Sequence, residues 1–308
     1  MSIEIREATS KEMKKHKKIV EKFVSNIPFD EKMEERNWNL IRKVSNMSHR
    51  ITPKEKDVIF KTIEDINGIV VIPPEIENEK NIILYIHGGG FVNGSAKRTK
   101  GYCSMLAKYS KCIVITCDYS LAPEKPYPNA INDVYKTYNT ILNNYKDCNI
   151  SLIGDSAGAN ICLALTIRLI NNNNKLPSSL VLNSPLVDLS YSLKRDYEIN
   201  DFIVKESFIN PLQKMYIKEE KNNNPEISPI HFENFNKFPP VFITCDYNET
   251  LRMDAEELYE KCINSNVEAH IIKVKNTFHS FAIMGTSTPE TKQILEDICL
   301  FINDKFKK

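Results

Sequence analysis

From residue 57 onward, short β-rich runs alternate with stretches of helical spacing, and that rhythm restricts the chain to few folds. The runs are "VIFKTI", "GIVVIP", "IILYIH", "CIVITCDY", "ISLIGD", "LVLNSP", "VFITCDY" and "AHIIKVK". Helical candidates lie at about 97 to 109, 129 to 145, 157 to 171, 252 to 264 and 290 to 304. Strands alternating with helices predict an α/β domain with a mostly parallel, eight-stranded sheet covered by helices on both faces. The first two strands have no helix between them and are expected to be antiparallel. Residues 1 to 50 carry apolar positions at helical spacing, Met13 to Ile27 and then Trp38 to Val44, which predict two amphipathic helices. Residues 190 to 238 contain helical pieces but no clear strand, and insertions of that length in a compact α/β domain are usually functional. We expect this insertion and the helices of residues 1 to 50 to form a cap over the carboxyl edge of the sheet, with residues 51 to 308 as the main domain.

Composition excludes several classes of partner. The 308 residues carry a net charge of +1, with 26% charged residues of both signs interspersed, so no global field draws nucleic acid or an anionic membrane. The first thirty residues are polar and Lys-rich without an apolar core, and no run reaches the 18 apolar residues of a membrane span. An unexported, cytoplasmic protein is expected. The eight cysteines lie in or beside apolar runs without CxxC pairs, and they read as small buried thiols of a reducing compartment.

Glycine is scarce and concentrated. Five of the nine glycines fall in His87-Gly88-Gly89-Gly90 and Gly154-Asp155-Ser156-Ala157-Gly158. The second is a G-x-S-x-G between a strand, "ISLIG", and a helix, "AGANICLALTIRLI", the context a nucleophile elbow requires. Such a turn lifts the Ser156 hydroxyl clear of the sheet and leaves the Ala157 amide unpaired at a helix start. A polyglycine loop after a strand can bring backbone N–H groups close to a developing oxyanion. Gly89, Gly90 and Ala157 are therefore the expected donors, each worth about 2.7 to 4 kcal/mol of transition-state stabilisation.

A base and an acid must follow in the order Ser, acid, His. Of six histidines, His279 in "NTFHSF" lies just past the last strand, at the edge where Ser156 emerges, whereas His270 lies inside that strand. The acid stays open among Asp246, Glu249 and Asp254 of "CDYNETLRMDAEE". Asp254 reads as a first-turn carboxylate favoured by the helix dipole, Asp246 is close to the strand end, and Glu249 is preferred.

Taken in order, "HGGG" at 87 to 90, "DYSLAPE" at 118 to 124, "GDSAG" at 154 to 158, "SPLVD" at 184 to 188, "ETLRMD" at 249 to 254 and His279 resemble the hormone-sensitive-lipase-like esterases, a branch of the α/β-hydrolases. The resemblance runs through most of the chain. It implies the α/β-hydrolase fold with a helical cap, Glu249 as the acid of a Ser156–Glu249–His279 triad, and hydrolysis of short- to medium-chain acyl esters without metal or organic cofactor. It also implies a homodimer formed through "AHIIKVK" as an edge strand. Two positions depart from the family: Ser120 stands where Arg is usual, removing an expected ion pair, and Ser280 follows the histidine where Gly is common. Two other readings use the same fold, a receptor for a small apolar ligand and an amide or acetyl hydrolase. The receptor would be expected to lose a triad member, and none is missing.

Overall fold

A computed structural model describes residues 1–25, 42, 53–63, 65–196, 198–199, 201–218 and 220–307. One twisted sheet of nine strands organises them: β1 (Ser2–Glu7), β2 (Ile59–Ile63), β3 (Ile66–Ile72), β4 (Asn81–Ile86), β5 (Ile113–Cys117), β6 (Asn149–Asp155), β7 (Ser179–Asn183), β8 (Val241–Asp246) and β9 (Ala269–Lys275). Their spatial order is β1-β9-β8-β7-β6-β4-β5-β3-β2. Only the β2–β3 and β3–β5 pairings are antiparallel. All eight anticipated strands form; in β4 to β9 apolar-rich runs suit strands buried largely on both faces, whereas β2 lies exposed at the sheet edge.

The ninth strand corrects the expectation for the amino terminus. Residues 2 to 7 run parallel to β9 over its full length, from Ser2 beside His270 to Glu7 beside Lys275. The signal was faint because Ile3 and Ile5 remain 55% and 52% exposed, so "SIEIRE" has no buried apolar face to advertise. A consequence follows for "AHIIKVK": β9 lies inside the sheet, and the edge expected to carry a homodimer is occupied by the chain's own β1.

Helices α1 (Lys11–Ser25), α2 (Lys100–Ser110), α3 (Asn129–Asn144), α4 (Ala157–Asn171), α5 (Glu206–Ile217), α6 (Arg252–Asn264) and α7 (Pro289–Lys305) complete the layers. The anticipated helix around Trp38 to Val44 lies outside the described residues, Arg42 excepted. Two apolar cores result, one on each face of the sheet: Val134, Ile161 and Leu258 belong to the first, and Met105, Leu295 and Ile302 to the second. All eight cysteines are free and buried. Among the described residues no helix is long and apolar enough to cross a membrane.

Register brings the two glycine motifs together. Strands β4 and β6 are parallel neighbours with Ile86 beside Gly154, so "HGGG" and "GDSAG" leave the sheet side by side. The backbones then touch. A Cβ on Gly158 would stand 2.6 Å from the His87 carbonyl oxygen and closer still to that of Ile86, and a Cβ on Gly154 would stand 2.5 Å from the Gly158 carbonyl. These obstacles are backbone and cannot rotate away. Gly158→Val is therefore expected to lower stability by about 1 to 3 kcal/mol or to prevent folding, read as a lower midpoint of thermal or urea unfolding.

Candidate active site

Ser156 sits between β6 and α4 with φ 54° and ψ −119°, a strained conformation for a residue with a side chain. Its amide donates to the Asn183 carbonyl at 2.9 Å, and its carbonyl accepts from Asn160 and Leu186. The surrounding structure thus imposes the strain. Flanked by buried Asp155 and Ala157, Ser156 keeps partial exposure.

The glycine loop is oriented peptide by peptide. Tyr119 Oη donates to the His87 carbonyl at 2.8 Å, and the Gly88 amide donates to Asp155 Oδ1 at 3.0 Å. His87 Nδ1 lies 2.8 Å from the Gly88 carbonyl, which can only accept, so the Nδ1 proton is fixed there. Burial pushes the His87 imidazole down to about 4, keeping it neutral, and its ring stacks on Tyr119 with centroids 4.2 Å apart. The Gly89 carbonyl accepts from Val92 and Asn93 amides at 3.2 and 3.0 Å. In a trans peptide the N–H points opposite to the preceding C=O. Holding the carbonyls of Gly88 and Gly89 therefore turns the Gly89 and Gly90 amides the other way. Among the described residues the protein supplies no acceptor to these two amides or to that of Ala157.

Asp155 joins the motifs, taking hydrogen bonds from Tyr85 Oη and the Gly88 amide on one oxygen. Burial raises its pKa against the opposing pull of those bonds. Neither His87 nor Asp155 was singled out as a site residue from sequence. Their only signal was position, one directly before the three glycines and one directly before the serine.

The acid and base emerge from adjacent parallel strands, with Asp246 beside Val274 at the ends of β8 and β9. His279 Nδ1 and Glu249 Oε2 are 2.6 Å apart, while Glu249 Oε1 accepts the Asp246 amide at 3.0 Å. Both side chains are buried. Burial works to lower the His279 pKa, but the charge and hydrogen bond of Glu249 outweigh it and hold the imidazole above its usual value. Burial likewise raises Glu249 against the attraction of the imidazole.

The other two carboxylates are engaged elsewhere. Asp246 receives Thr277 Oγ1 at 2.8 Å and the Thr277 amide at 3.3 Å, bracing the loop that presents His279. Asp254 is more than a first-turn carboxylate. It receives Arg195 Nε at 2.7 Å in an ion pair sealed from solvent, and also the amides of Val187 and Asp188. The predicted strand residue His270 is part-exposed, beside Ser2 Oγ at 2.9 Å.

Ser156 and His279 share the carboxyl edge. The segment after β7 links them: Leu186 donates to the Ser156 carbonyl, and Ser184 Oγ accepts the Ser280 amide at 2.9 Å. Among the described residues no hydrogen bond joins Ser156 to His279; catalytic hydrogen bonds often tighten only once substrate is bound. Ser280 has φ 58°, which accounts for glycine suiting this position, and its hydroxyl is buried with no partner among the described residues. At the other departure, the Ser120 amide is capped by Asp133 Oδ2 at 2.8 Å.

Helix α5 covers this edge. Tyr216 stacks on Phe91 with centroids 3.8 Å apart, and Leu212 Cδ1 would stand 2.6 Å from a Cβ on Gly90.

Residues 83–283 match the model of a family described as having the alpha/beta hydrolase fold. The chain belongs to the α/β-hydrolases. An esterase of Acinetobacter venetianus is 31% identical over 270 residues, 85% of this chain and 88% of its own length. An arylesterase of Saccharolobus solfataricus is 26% identical over 280 residues, 86% of this chain and 90% of its own. Among solved structures, an esterase from the bacterial hormone-sensitive lipase family superimposes with a TM-score of 0.87 at 24% identity, covering 97% of this chain and 99% of that one. That likeness establishes the shared α/β-hydrolase fold.

Proposed function

We infer that this carboxylic ester hydrolase is a serine esterase of short- to medium-chain acyl esters, with Ser156 as nucleophile, His279 as base, Glu249 as its orienting acid, and Gly89, Gly90 and Ala157 as oxyanion donors. The observation that carries the reading is the 2.6 Å His279–Glu249 hydrogen bond at the sheet edge where the strained Ser156 turn emerges.

Ser156 Oγ attacks the ester carbonyl and passes its proton to His279 Nε2, the nitrogen left free by the Nδ1 bond to Glu249. The tetrahedral oxyanion faces the three amides. Imidazolium then protonates the departing alcohol, and water repeats the sequence on the acyl-enzyme. Glu249 keeps the Nδ1 tautomer and stabilises the imidazolium.

Leu212 and the Phe91–Tyr216 stack support a short acyl chain, because they fill space above Gly90. The names of two relatives agree: an acetyl-hydrolase of Streptomyces hygroscopicus, 26% identical over 222 residues, and a putative acetyl-hydrolase of Mycobacterium tuberculosis, 25% identical over 237. We assign residues 190–238, which contain α5, to a cap. Helix α1, expected to join it, instead places Met13 in the core that holds Leu295 and Ile302. The eight buried free thiols support a reducing, cytoplasmic compartment.

Hydrolysis of p-nitrophenyl acetate, butyrate, octanoate and palmitate tests the chain-length reading. The expected kcat/KM is highest among the first two esters and lowest for palmitate. A palmitate preference would overturn the assignment, and no turnover of any ester would favour the receptor reading.

A further inference from the structure

Arg42 contacts the glycine loop from outside both glycine motifs and the acid–base segments. Its Nε donates to the Val92 carbonyl at 2.6 Å and its Nη2 to the Ala122 carbonyl at 2.7 Å. Its two terminal nitrogens also fork onto Glu124, Nη1 to Oε1 at 2.7 Å and Nη2 to Oε2 at 2.8 Å. One planar guanidinium thus binds the segment after the three glycines to the "DYSLAPE" segment. A second bond reinforces that junction, from the Ala122 amide to the Phe91 carbonyl at 2.9 Å.

Val92 is the lever. Its amide and that of Asn93 hold the Gly89 carbonyl, and that carbonyl sets the direction of the Gly90 N–H through the rigid peptide plane. Gripping the Val92 carbonyl fixes the far side of the same turn. The geometry points to Arg42 as a positioning residue for the oxyanion hole, acting through Val92 and Ala122 on the Gly90 amide without touching substrate. The inference rests on the oxyanion assignment proposed above. An ammonium group cannot replace the fork, because a compact point charge does not reach two carbonyls and a carboxylate together.

Arg42→Ala, Arg42→Lys, Glu124→Gln and Ser156→Ala are compared using p-nitrophenyl butyrate. Active sites of the Arg42 and Glu124 variants are counted by a fluorophosphonate so that unfolded protein does not enter kcat, and Ser156→Ala, which the reagent cannot label, is taken by concentration of folded protein. Arg42→Ala is expected to lower kcat about 10- to 100-fold with KM nearly unchanged, and to weaken an alkyl boronic acid, a tetrahedral-adduct inhibitor, in parallel. Millimolar guanidinium ion should restore part of that kcat. Arg42→Lys should fall in the same direction although it keeps the charge, and Glu124→Gln should fall less because both carbonyl grips survive. Unchanged kcat in folded Arg42→Ala or Arg42→Lys overturns the inference, and so does a Glu124→Gln loss equal to that of Arg42→Ala. Activity persisting in Ser156→Ala would instead overturn the esterase mechanism, so the two failures are distinguishable.

Discussion

Ser156→Ala is expected to lose ester hydrolysis almost completely, with kcat falling by on the order of 10⁴ to 10⁶, while the protein remains folded. The size follows from the covalent step, since no other hydroxyl occupies the turn between β6 and α4. The intact fold follows from the contacts. Ser156 is held by its own amide and carbonyl, which alanine retains. The backbone strain at φ 54° and ψ −119° exists in wild type already, and alanine does not add to it. Ser156→Gly makes the complementary case, because glycine adopts positive φ at little cost. It should be equally inactive and should melt at the same or a higher temperature than wild type. Unfolding midpoints and kcat measured on the same preparations check both. An inactive variant with a much lower midpoint would mean that the serine hydroxyl carries structure instead of chemistry.

The parts of this fold that were legible in the sequence are those whose physics is local. Continuous apolar runs specify strands buried on both faces, and the helices at 129–144, 157–171 and 252–264 follow from spacing alone. The GDSAG pentapeptide was legible because the strand before it and the helix after it define its geometry. What escaped detection depends on pairing across long sequence separations. Strand β1 is a strand because β9 offers it an edge 268 residues away, and its own isoleucines stay in water. Asp254 looked like a helix-dipole carboxylate because Arg195, 59 residues earlier, gives no sign of reaching it. Asp155, His87 and Arg42 act on backbone groups, and a side chain's appetite for a particular carbonyl or amide leaves no periodic trace. The choice among three nearby acids is of the same kind. Their spacing from β8 separates them by only a few residues, whereas the hydrogen bonds assign each a different partner.

Glu249→Gln is expected to lower kcat by about 10⁴-fold while sparing the fold, and the reason is tautomeric. Glutamine has nearly the shape of glutamate and can keep the bond from the Asp246 amide to one oxygen. Its amide nitrogen then faces His279 Nδ1, and a donor there requires Nδ1 to accept, which moves the imidazole proton to Nε2 and removes the base from Ser156. Charge adds a second signature. In wild type, Glu249 holds the His279 pKa above 6.5 despite burial, so activity that needs neutral imidazole is lost as pH falls through that raised value. Without that anion, burial is opposed only by the smaller pull of Asp201 and Asp155, and the imidazole pKa falls. The acid limb of the residual kcat/KM profile should therefore move to lower pH in Glu249→Gln. The neighbours should behave differently. Asp254→Asn leaves the buried Arg195 guanidinium without its anion and should act chiefly on stability. Asp246→Asn loosens the Thr277 bracing and should cost less activity than Glu249→Gln, with the acid limb still above that of Glu249→Gln because Glu249 remains. Rate profiles between pH 5 and 9 for the three variants decide the matter. A Glu249→Gln enzyme with wild-type kcat and an unmoved acid limb would transfer the acid's role to one of the other two carboxylates.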